Sequence, residues 1–149
     1  MFREKWALLS AGDQEKCNTM TVSWGGVGVF WNKNVVTVYV RPQRYTYEFM
    51  EKNDYFSLSF FGGEFKKELG ICGSKSGRDI DKMEATGLTP IGIDNSTGFK
   101  EAKITVYMKK LAYQDMKPDG FIDESIMSNY AANDFHRVYI GEIVKVLTE

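Results

Sequence analysis

The sequence is poor in the residues that build metal centres and disulfide frameworks. It contains 2 cysteines, Cys17 and Cys72, and 1 histidine, His136. The cysteines show neither the C-x-x-C pattern nor any other metal-ligand spacing, so we expect no metal site, no disulfide, and two buried or half-buried thiols. No recognisable nucleophile motif accompanies the histidine, which argues against Ser-His-Asp chemistry.

Long apolar runs and a strong net charge are also missing. The first residues, MFREKWALLS, lack the apolar core of a signal peptide, and no later run has the length that a bilayer span requires. We therefore expect a cytoplasmic protein without membrane contacts. The net charge of -1 argues against nucleic-acid binding, although a local cluster of cations could still bind one small anion.

What the sequence does contain is typical of one folded domain over residues 1–149. Apolar residues make up 43% and charged residues 26% of the 149 positions, so the chain is able to bury a core. Aromatic residues reach 14%, with 3 tryptophans and 8 tyrosines, which is more than a small core needs. Some of these rings are expected to line a pocket.

Glycine punctuation and apolar periodicity predict short strands with β-branched and aromatic residues. In the first part of the chain they fall at residues 21–29, 35–40 and 55–61, with WNKN as a hairpin turn between the first two. A further strand is expected in residues 102–115, where a one-residue bulge near Lys109 and Lys110 would keep its apolar residues on one face. The last strand is predicted over residues 136–149. An antiparallel, barrel-like sheet follows from this pattern.

A few short helices are expected between the strands. Residues 45–54 place three large apolar side chains on one helical face. Residues 64–87 read as a helix, a glycine loop and a second helix, whose start is predicted by the S-x-x-D relation of Ser76 and Asp79. Residues 117–134 are expected to form a loop that contains a short helix.

The first candidate site is NTMTVSW, residues 18–24, which alternates like a strand but is unusually polar. Hydroxyl and amide groups could hydrogen-bond the carbonyls and ring nitrogens of a heterocycle, while Met20 and Trp24 could supply flat or polarisable contact. The hydrogen-bonding residues are Asn18, Thr19, Thr21 and Ser23. The alternative is a polar edge strand, because serine and threonine are also common on solvated strand faces.

The second candidate site is VRPQRYT, residues 40–46. Arg41 and Arg44 flank a turn made rigid by proline, and a helix is expected to begin near Tyr45 or Thr46. Planar guanidinium groups beside a helix N-terminus are suited to phosphate binding. The alternative is a pair of ordinary surface arginines.

The third candidate site is CGSKSGRD, residues 72–79, which resembles an anion cradle without the order of a Walker loop. Gly73 and Gly77 permit unusual backbone angles, and hydroxyl groups and cations surround them. These polar residues are Ser74, Lys75, Ser76, Arg78 and, further along, Lys82. Asp79 would repel phosphate unless Arg78 or a helix cap engages it, and a capped surface helix is the alternative.

Taken together, the three sites indicate a phosphorylated flat cofactor better than a metal, a peptide or a nucleic acid. The first supplies donors for a ring, and the other two supply basic loops for an anion. His136, which begins the last predicted strand, could approach such a cofactor. It could equally be a histidine with satisfied hydrogen bonds at a strand end.

Four blocks in this order, NTMTVSWGGVG, WNKNVVTVYVRPQRYTYEF, CGSKSGRDIDK and HRVYIGEI, resemble the flavin reductase-like family of FMN-binding split-barrel proteins, which includes the flavoredoxins. The similarity covers nearly the whole chain. It implies a mainly β fold, a six-stranded antiparallel Greek-key split β-barrel with a few short helices. It also implies a homodimer with FMN at or near the subunit interface.

The resemblance further implies where the cofactor lies. The first block would follow the isoalloxazine ring and the ribityl chain, and the blocks around Arg41 and Ser76 would hold the ribityl phosphate. The cofactor-binding residues carried over from these blocks are Asn18, Thr19, Met20, Thr21, Ser23, Trp24, Arg41, Arg44, Tyr45, Thr46, Cys72, Gly73, Ser74, Ser76, Gly77, Arg78 and Lys82.

The implied function is an oxidoreductase in which FMN takes a hydride from NADH or NADPH and passes electrons to free flavin or to another small-molecule or protein acceptor. His136, or a backbone amide, would contribute to catalysis by stabilising the anionic reduced flavin near N1 and the C2 carbonyl. Because nothing resembles a G-x-G-x-x-G fingerprint, an FMN-binding electron carrier with protein redox partners and no direct NAD(P)H oxidation stays open as an alternative. A non-redox module that binds FMN or haem is a third alternative.

Overall fold

The structure, a computed structural model, describes residues 2–149; Met1 lies outside the described residues. The chain is mainly β, with short helices between the strands. The strands are β1 (Ala7–Gly12), β2 (Cys17–Val22), β3 (Gly25–Phe30), β4 (Lys33–Val40), β5 (Tyr55–Phe60), β6 (Pro90–Ile93), β7 (Ser96–Phe99), β8 (Ile104–Asp115) and β9 (Arg137–Thr148). The α-helices are α1 (Tyr45–Lys52), α2 (Lys66–Ser74) and α3 (Lys82–Thr86).

The main sheet is antiparallel and has seven strands in the order β2-β1-β5-β8-β9-β4-β3. The strands β6 and β7 form a separate antiparallel pair. The prediction of a mainly β, antiparallel fold with a few short helices is therefore confirmed. The prediction of six strands is wrong, since the main sheet has seven and its hydrogen-bonded ladder does not close into a complete barrel.

The break between β2 and β3 explains why the main sheet has seven strands and why its hydrogen-bonded ladder does not close. A single strand was expected over residues 21–29, but this part of the chain forms two strands that lie at opposite edges of the sheet. Only Ser23 and Trp24 join them. Because two residues span only about 7 Å, the sheet has to curl until its two edges meet at this joint. We call this unpaired line between β2 and β3 the seam.

The strand β1 was not predicted, because it lacks alternation. All six of its residues are buried, so both of its faces are covered and its sequence, ALLSAG, shows no polar face. Leu9 belongs to the main hydrophobic core together with Val38, Phe56 and Tyr139. Leu8 points the other way, into a second cluster beneath α2 and β7.

Several local predictions are confirmed. The turn of the β3–β4 hairpin consists of Trp31 and Asn32, which have φ values of 51° and 58° and so form the mirror-image type of turn that strand twist favours. The pairing of β8 with β9 shifts between Lys110 and Ala112, which places the expected bulge at Leu111. The helix expected at 45–54 is present as α1.

The start of the helix after the glycine loop was predicted wrongly. The helix α3 begins at Lys82 and is capped by Asp81, whose carboxylate accepts hydrogen bonds from Met83 N at 2.8 Å and Glu84 N at 3.1 Å. The earlier S-x-x-D pair lies in a turn, where the carbonyl of Ser76 accepts a hydrogen bond from Asp79 N at 3.1 Å. The short spacing of polar residues allowed either start. The hydroxyl of Ser76 also accepts a hydrogen bond from a backbone N–H, that of Arg78 at 3.2 Å, but the residues after it form a turn and not a helix.

None of the helices within residues 2–149 combines the length and the hydropathy that crossing a membrane requires. Over the same residues, no group of three or more His, Cys, Asp or Glu side chains is arranged to hold a metal ion.

The sheet is packed so closely at Gly141 that any side chain there should destabilise it. A Cβ atom at this position would lie 2.6 Å from Phe56 Cζ and 2.7 Å from Met108 Cβ, both in the core. We expect Gly141→Ala to lower the free energy of unfolding by about 1–3 kcal/mol, as measured by urea denaturation.

Gly28→Ala is the matched control, because Gly28 also lies in a strand and a Cβ atom there meets nothing within 4 Å. We expect it to change the free energy of unfolding by less than about 0.5 kcal/mol. Equal effects of the two alanines would contradict the packing argument.

Candidate functional site

A basic cleft lies where the N-terminus of α1, the end of α2 and β2 come together. It has a volume of about 220 Å³. Three of the residues that line it carry a positive charge and none is acidic, which favours an anionic ligand. The lining residues are Asn18, Gln43, Arg44, Tyr45, Thr46, Gly73, Ser74, Lys75, Ser76, Gly77 and Lys82.

Lys82 is the most deeply placed cation of the basic cleft, with 5% of its surface exposed. Its ammonium group donates hydrogen bonds to the carbonyls of Thr19, at 2.7 Å, and of Cys72, at 2.8 Å. The second carbonyl belongs to the last turn of α2, where a cation is favourable. Burial, with a smaller contribution from Arg44, lowers the pKa of Lys82 to about 8. The third N–H donor is left for a ligand.

Arg44 is half-buried and immediately precedes α1. Its guanidinium donates to the carbonyl of Gly73 at 3.1 Å, which connects the first turn of α1 with the end of α2. Burial lowers the pKa of this guanidinium, which nevertheless stays protonated at physiological pH. The first N–H groups of α1 have no acceptor within the helix, so cation and helix N-terminus act on the same cleft.

A close contact between Gly77 and Asn18 shapes the cleft. A Cβ atom on Gly77 would lie only 2.1 Å from Asn18 Oδ1 and 3.1 Å from Tyr45 Cδ1. The amide of Asn18 in turn donates to Thr46 Oγ1 at 2.8 Å. The three candidate sites identified in the sequence therefore meet at this point, and any side chain at position 77 would require the amide of Asn18 to move.

A second depression, which we call the seam slot, lies beside the joint between β2 and β3. Its volume is about 200 Å³, and it shares Arg44 with the basic cleft. The ring of Trp24, 51% exposed, stands 5.4 Å from the ring of His136 and is tilted by 58° to it. The lining residues are Met20, Thr21, Val22, Ser23, Trp24, Tyr39, Arg41, Arg44 and His136.

His136 is a buried, uncharged member of the seam slot. Its Nδ1 atom lies 2.7 Å from the hydroxyl of Tyr130. Burial first, and Arg41 second, lower the pKa of the imidazole to about 4, against a smaller opposing effect of Asp134. The ring is therefore neutral at physiological pH and can form hydrogen bonds without adding a charge to the slot.

A connecting groove of about 300 Å³ joins the two depressions. It shares Thr21 and Ser23 with the seam slot, and Gly73 and Ser74 with the basic cleft. Trp6 forms its outer side. A continuous path thus runs along β2 from a region bounded by aromatic rings to a region of positive charge.

Some of the residues predicted to bind a cofactor face the interior. Thr19 is fully buried and donates to the carbonyl of Leu9 at 3.2 Å. Met20 belongs to the main core and Cys72 to the second cluster. The hydroxyl of Thr21 is bonded to the carbonyl of Leu69. Thr19 and Cys72, which are fully buried, could contact a ligand only through backbone atoms, whereas Met20 also lines the seam slot.

The structure separates Arg41 from the basic cleft. Its guanidinium lies 2.6 Å from a carboxylate oxygen of Asp134 and donates to the carbonyl of Asn129 at 2.8 Å. Arg41 thus holds the loop before β9 and borders the seam slot instead. The ion pair keeps the pKa of the Asp134 carboxyl below its usual range.

Arg78 is also engaged elsewhere. It forms an ion pair with Glu48, donates to the carbonyl of Gln43 at 3.2 Å and lies 4.7 Å above the ring of Tyr45. It lines a neighbouring cavity of about 560 Å³ on the other side of Gly77. The other residues predicted to bind phosphate, Arg44, Ser74 and Ser76, do line the basic cleft, together with Lys82.

Sequence reasoning missed Trp6, Tyr39, Gln43 and Tyr130. Tyr39 alternates with buried residues of β4, so its position on the opposite face could have been recognised. Tyr130 gave no such signal, because it lies in a loop and reaches His136 only through tertiary structure.

An antiparallel sheet with an unpaired seam, together with a groove that ends in a basic cleft, defines a split-barrel domain suited to an elongated ligand with one anionic end. Residues 2–149 match the model of the flavin reductase like domain, and the chain belongs to this family. The resemblance drawn from the four sequence blocks is thereby confirmed. No curated protein matches the chain.

Solved structures of similar fold cover almost all of the chain. The FMN-binding protein from Thermus thermophilus, with bound p-hydroxybenzaldehyde, is 23% identical, with a TM-score of 0.74 over 97% of this chain and 71% of that chain. Flavoredoxin from Methanosarcina acetivorans is 22% identical, with a TM-score of 0.74 over 97% of this chain and 68% of that one. Flavoredoxin of Desulfovibrio vulgaris (Miyazaki F) is 20% identical, with a TM-score of 0.74 over 97% and 69%. At these identities the likeness shows a shared fold.

Proposed function

We propose that the chain is an FMN-binding oxidoreductase, with the phosphate of FMN in the basic cleft and its ring system in the seam slot. The observation that carries this proposal is the continuity of the two depressions through the connecting groove. FMN has a flat heterocycle, a polyol chain and a phosphate in that order. This order matches the seam slot with its aromatic rings, the connecting groove with its hydroxyl groups, and the basic cleft. The family and the FMN-binding structural relatives support the same ligand.

The donor set of the basic cleft fits a phosphate group. Arg44 and Lys82 supply two partly or largely buried cations, and the first N–H groups of α1 supply backbone donors. The hydroxyl of Ser74 donates to Gly70 O at 2.8 Å, which leaves its lone pairs and not its proton for solvent. Ser76 accepts from Arg78 N at 3.2 Å, so its own hydroxyl proton is available.

The seam slot fits a planar group, and the cations Arg41 and Arg44 also border it. Trp24 and His136 form a wall on one side, and Ser23 adds a hydroxyl next to them. When bound there, FMN would supply the electron-transfer chemistry, for which a protein has to provide binding, orientation and shielding. These residues would accordingly hold the ring and exclude water from one side of it, and His136 would offer a hydrogen bond.

We further propose that NADH or NADPH is the electron donor, and that free flavin or another small-molecule or protein acceptor takes the electrons. The exposure of Trp24 leaves the outer side of the seam slot open to such a partner. We expect the protein to act in the cytoplasm. An electron carrier that takes electrons from a protein instead of a nicotinamide would use the same open side.

A homodimer with FMN near the interface is also proposed. The edge strand β3 carries exposed apolar side chains, among them Phe30 and Val29, which is 74% exposed, and the hairpin turn adds Trp31. An apolar edge strand is normally covered by another chain or by other elements of the fold. Because β3 begins next to Trp24, a second copy paired there would lie beside the seam slot. A monomer in sedimentation velocity at micromolar concentration would contradict this proposal.

The test of the proposed function begins with the visible spectrum of the purified chain, followed by titration with FMN and with riboflavin. We expect a flavin band or saturable FMN uptake, with FMN bound more tightly than riboflavin. Anaerobic mixing with NADH or NADPH should then bleach the bound flavin. Absence of FMN uptake would overturn the binding proposal, whereas uptake without bleaching by either nicotinamide would favour the electron carrier.

A further inference from the structure

A hydrogen bond between Tyr130 and His136 sets the chemistry of the only imidazole in the chain. The Tyr130 hydroxyl lies 2.7 Å from His136 Nδ1, and both residues are buried. The two rings meet edge to face, with centroids 5.4 Å apart. Tyr130 lies in the loop before β9 and engages Nδ1. Because His136 lines the seam slot, Nε2 is the ring nitrogen that is left for a group bound there.

The phenol of Tyr130 is held in place from several directions. Its ring stacks on Phe121, with centroids 5.8 Å apart and an angle of 17° between the planes. The centroid of the Phe135 ring lies 4.9 Å away. The guanidinium of Arg41 lies 5.0 Å above it and is itself paired with Asp134. Because packing and charge fix this ring, the position of its hydroxyl is fixed as well.

The direction of the hydrogen bond follows from the two groups. A neutral imidazole has one N–H donor and one nitrogen acceptor, and a phenol hydroxyl can both donate and accept. A ring nitrogen accepts a hydrogen bond more strongly than a phenol oxygen does, so the hydroxyl donates to Nδ1. The proton of the imidazole then resides on Nε2.

We propose that Tyr130 is a positioning residue that keeps His136 in the Nε2–H tautomer, so that His136 presents a hydrogen-bond donor to a carbonyl-bearing ring in the seam slot. This inference rests on the proposed function only for the identity of the ligand. The tautomer itself is a property of the protein without a ligand.

The surroundings of His136 keep the ring neutral, which is the condition for a defined tautomer. Burial and Arg41 both disfavour the imidazolium, and they outweigh Asp134, which favours it. The rings of the aromatic neighbours Trp24 and Tyr39 lie 5.4 and 6.4 Å from the imidazole, measured between centroids. The tautomer should therefore be constant over the whole neutral range.

Two-dimensional ¹⁵N–¹H NMR of the full chain at pH 7 measures the tautomer directly, because the single histidine gives one pair of ring-nitrogen signals. We expect Nε2 to be protonated and Nδ1 to be unprotonated. In Tyr130→Phe, which retains the ring, the two tautomers should exchange and the Nδ1 signal should move toward the average. Nδ1–H as the main form in the wild type, or an unchanged spectrum in Tyr130→Phe, would overturn the proposal.

Tyr39→Phe is the matched control, since Tyr39 faces the same imidazole without a hydrogen bond to it. We expect this variant to retain the wild-type tautomer, and a loss equal to that in Tyr130→Phe would contradict a specific role of Tyr130. If Tyr130→Phe does not fold, the wild-type spectrum alone decides.

Titration with flavins separates this inference from the proposed function. Loss of the positioned donor should weaken FMN and riboflavin alike, each by about 2- to 10-fold, because the hydrogen bond concerns the ring and not the phosphate. If neither flavin binds the wild type, the proposed function fails while the measured tautomer still decides the role of Tyr130. Weakening of FMN alone would overturn the role assigned to the seam slot.

Discussion

Lys82→Met is expected to weaken FMN binding by about 10- to 150-fold, corresponding to about 1.5–3 kcal/mol for a charge-assisted hydrogen bond. The ammonium is buried in the basic cleft, and two of its three N–H donors are used by the carbonyls of Thr19 and Cys72. The third is available to a phosphate oxygen. Riboflavin, which has no phosphate, should lose less than about threefold by the same argument.

Isothermal titration or flavin fluorescence measures the affinity for each ligand. The ratio of the FMN loss to the riboflavin loss corrects for any general loosening of the site. Lys67→Met is the matched control, because Lys67 is an exposed residue of α2 and its replacement changes the net charge equally. We expect it to leave both affinities within about twofold of the wild type. Equal weakening of FMN and riboflavin by Lys82→Met would contradict a phosphate contact.

The lowered pKa of Lys82 adds a pH dependence to the same prediction. The free protein loses the Lys82 charge as the pH rises through about 8. The protonated form binds a phosphate dianion better, so FMN affinity should be constant near pH 7 and fall above pH 8, while a bound anion raises the pKa of Lys82. Riboflavin affinity should stay flat over this range, and so should the FMN affinity of Lys82→Met.

Arg44→Met is expected to have a similar effect on FMN, again about 10- to 150-fold, and a smaller effect on riboflavin. Within residues 2–149, Arg44 is the only cation that borders both the basic cleft and the seam slot. Its guanidinium also holds Gly73 O at 3.1 Å, so methionine would remove both a charge and a support of the cleft wall. Titration with the two flavins measures the outcome.

Arg41→Met provides the contrast. Arg41 is paired with Asp134, and its guanidinium lies 5.0 Å from the centroid of the Tyr130 ring. We expect its replacement to weaken FMN and riboflavin by the same factor, because it borders the ring and not the phosphate. A loss specific to FMN in Arg41→Met, without one in Arg44→Met, would exchange the roles assigned to the two arginines.

The sequence by itself determined the features that depend on neighbouring residues. The β3–β4 turn, the helix α1 and the bulge at Leu111 each follow from local pattern, because turn geometry and side-chain periodicity act over a few residues. The four ordered blocks also determined the family. These signals are contiguous in the chain, so they can be read without the fold.

Tertiary structure decided which of the candidate residues share a site. Arg41 and Arg44 are three positions apart, yet one pairs with Asp134 and the other enters the basic cleft. Their partners, Asp134 in the loop before β9 and Gly73 in α2, lie 93 and 29 residues away along the chain. Local pattern carries no information about such distant charges.

The segment between β2 and β3 shows the same limit most clearly. The alternation of residues 21–29 predicted one strand, but the chain breaks at Ser23 and Trp24. The parts before and after the break, β2 and β3, pair with β1 and β4 at opposite edges of the sheet. Strand partners are chosen by burial across the whole barrel, a long-range effect that a local pattern cannot encode. The seam slot exists only because of that choice, and Tyr130 reaches His136 only because the loop before β9 packs beside it.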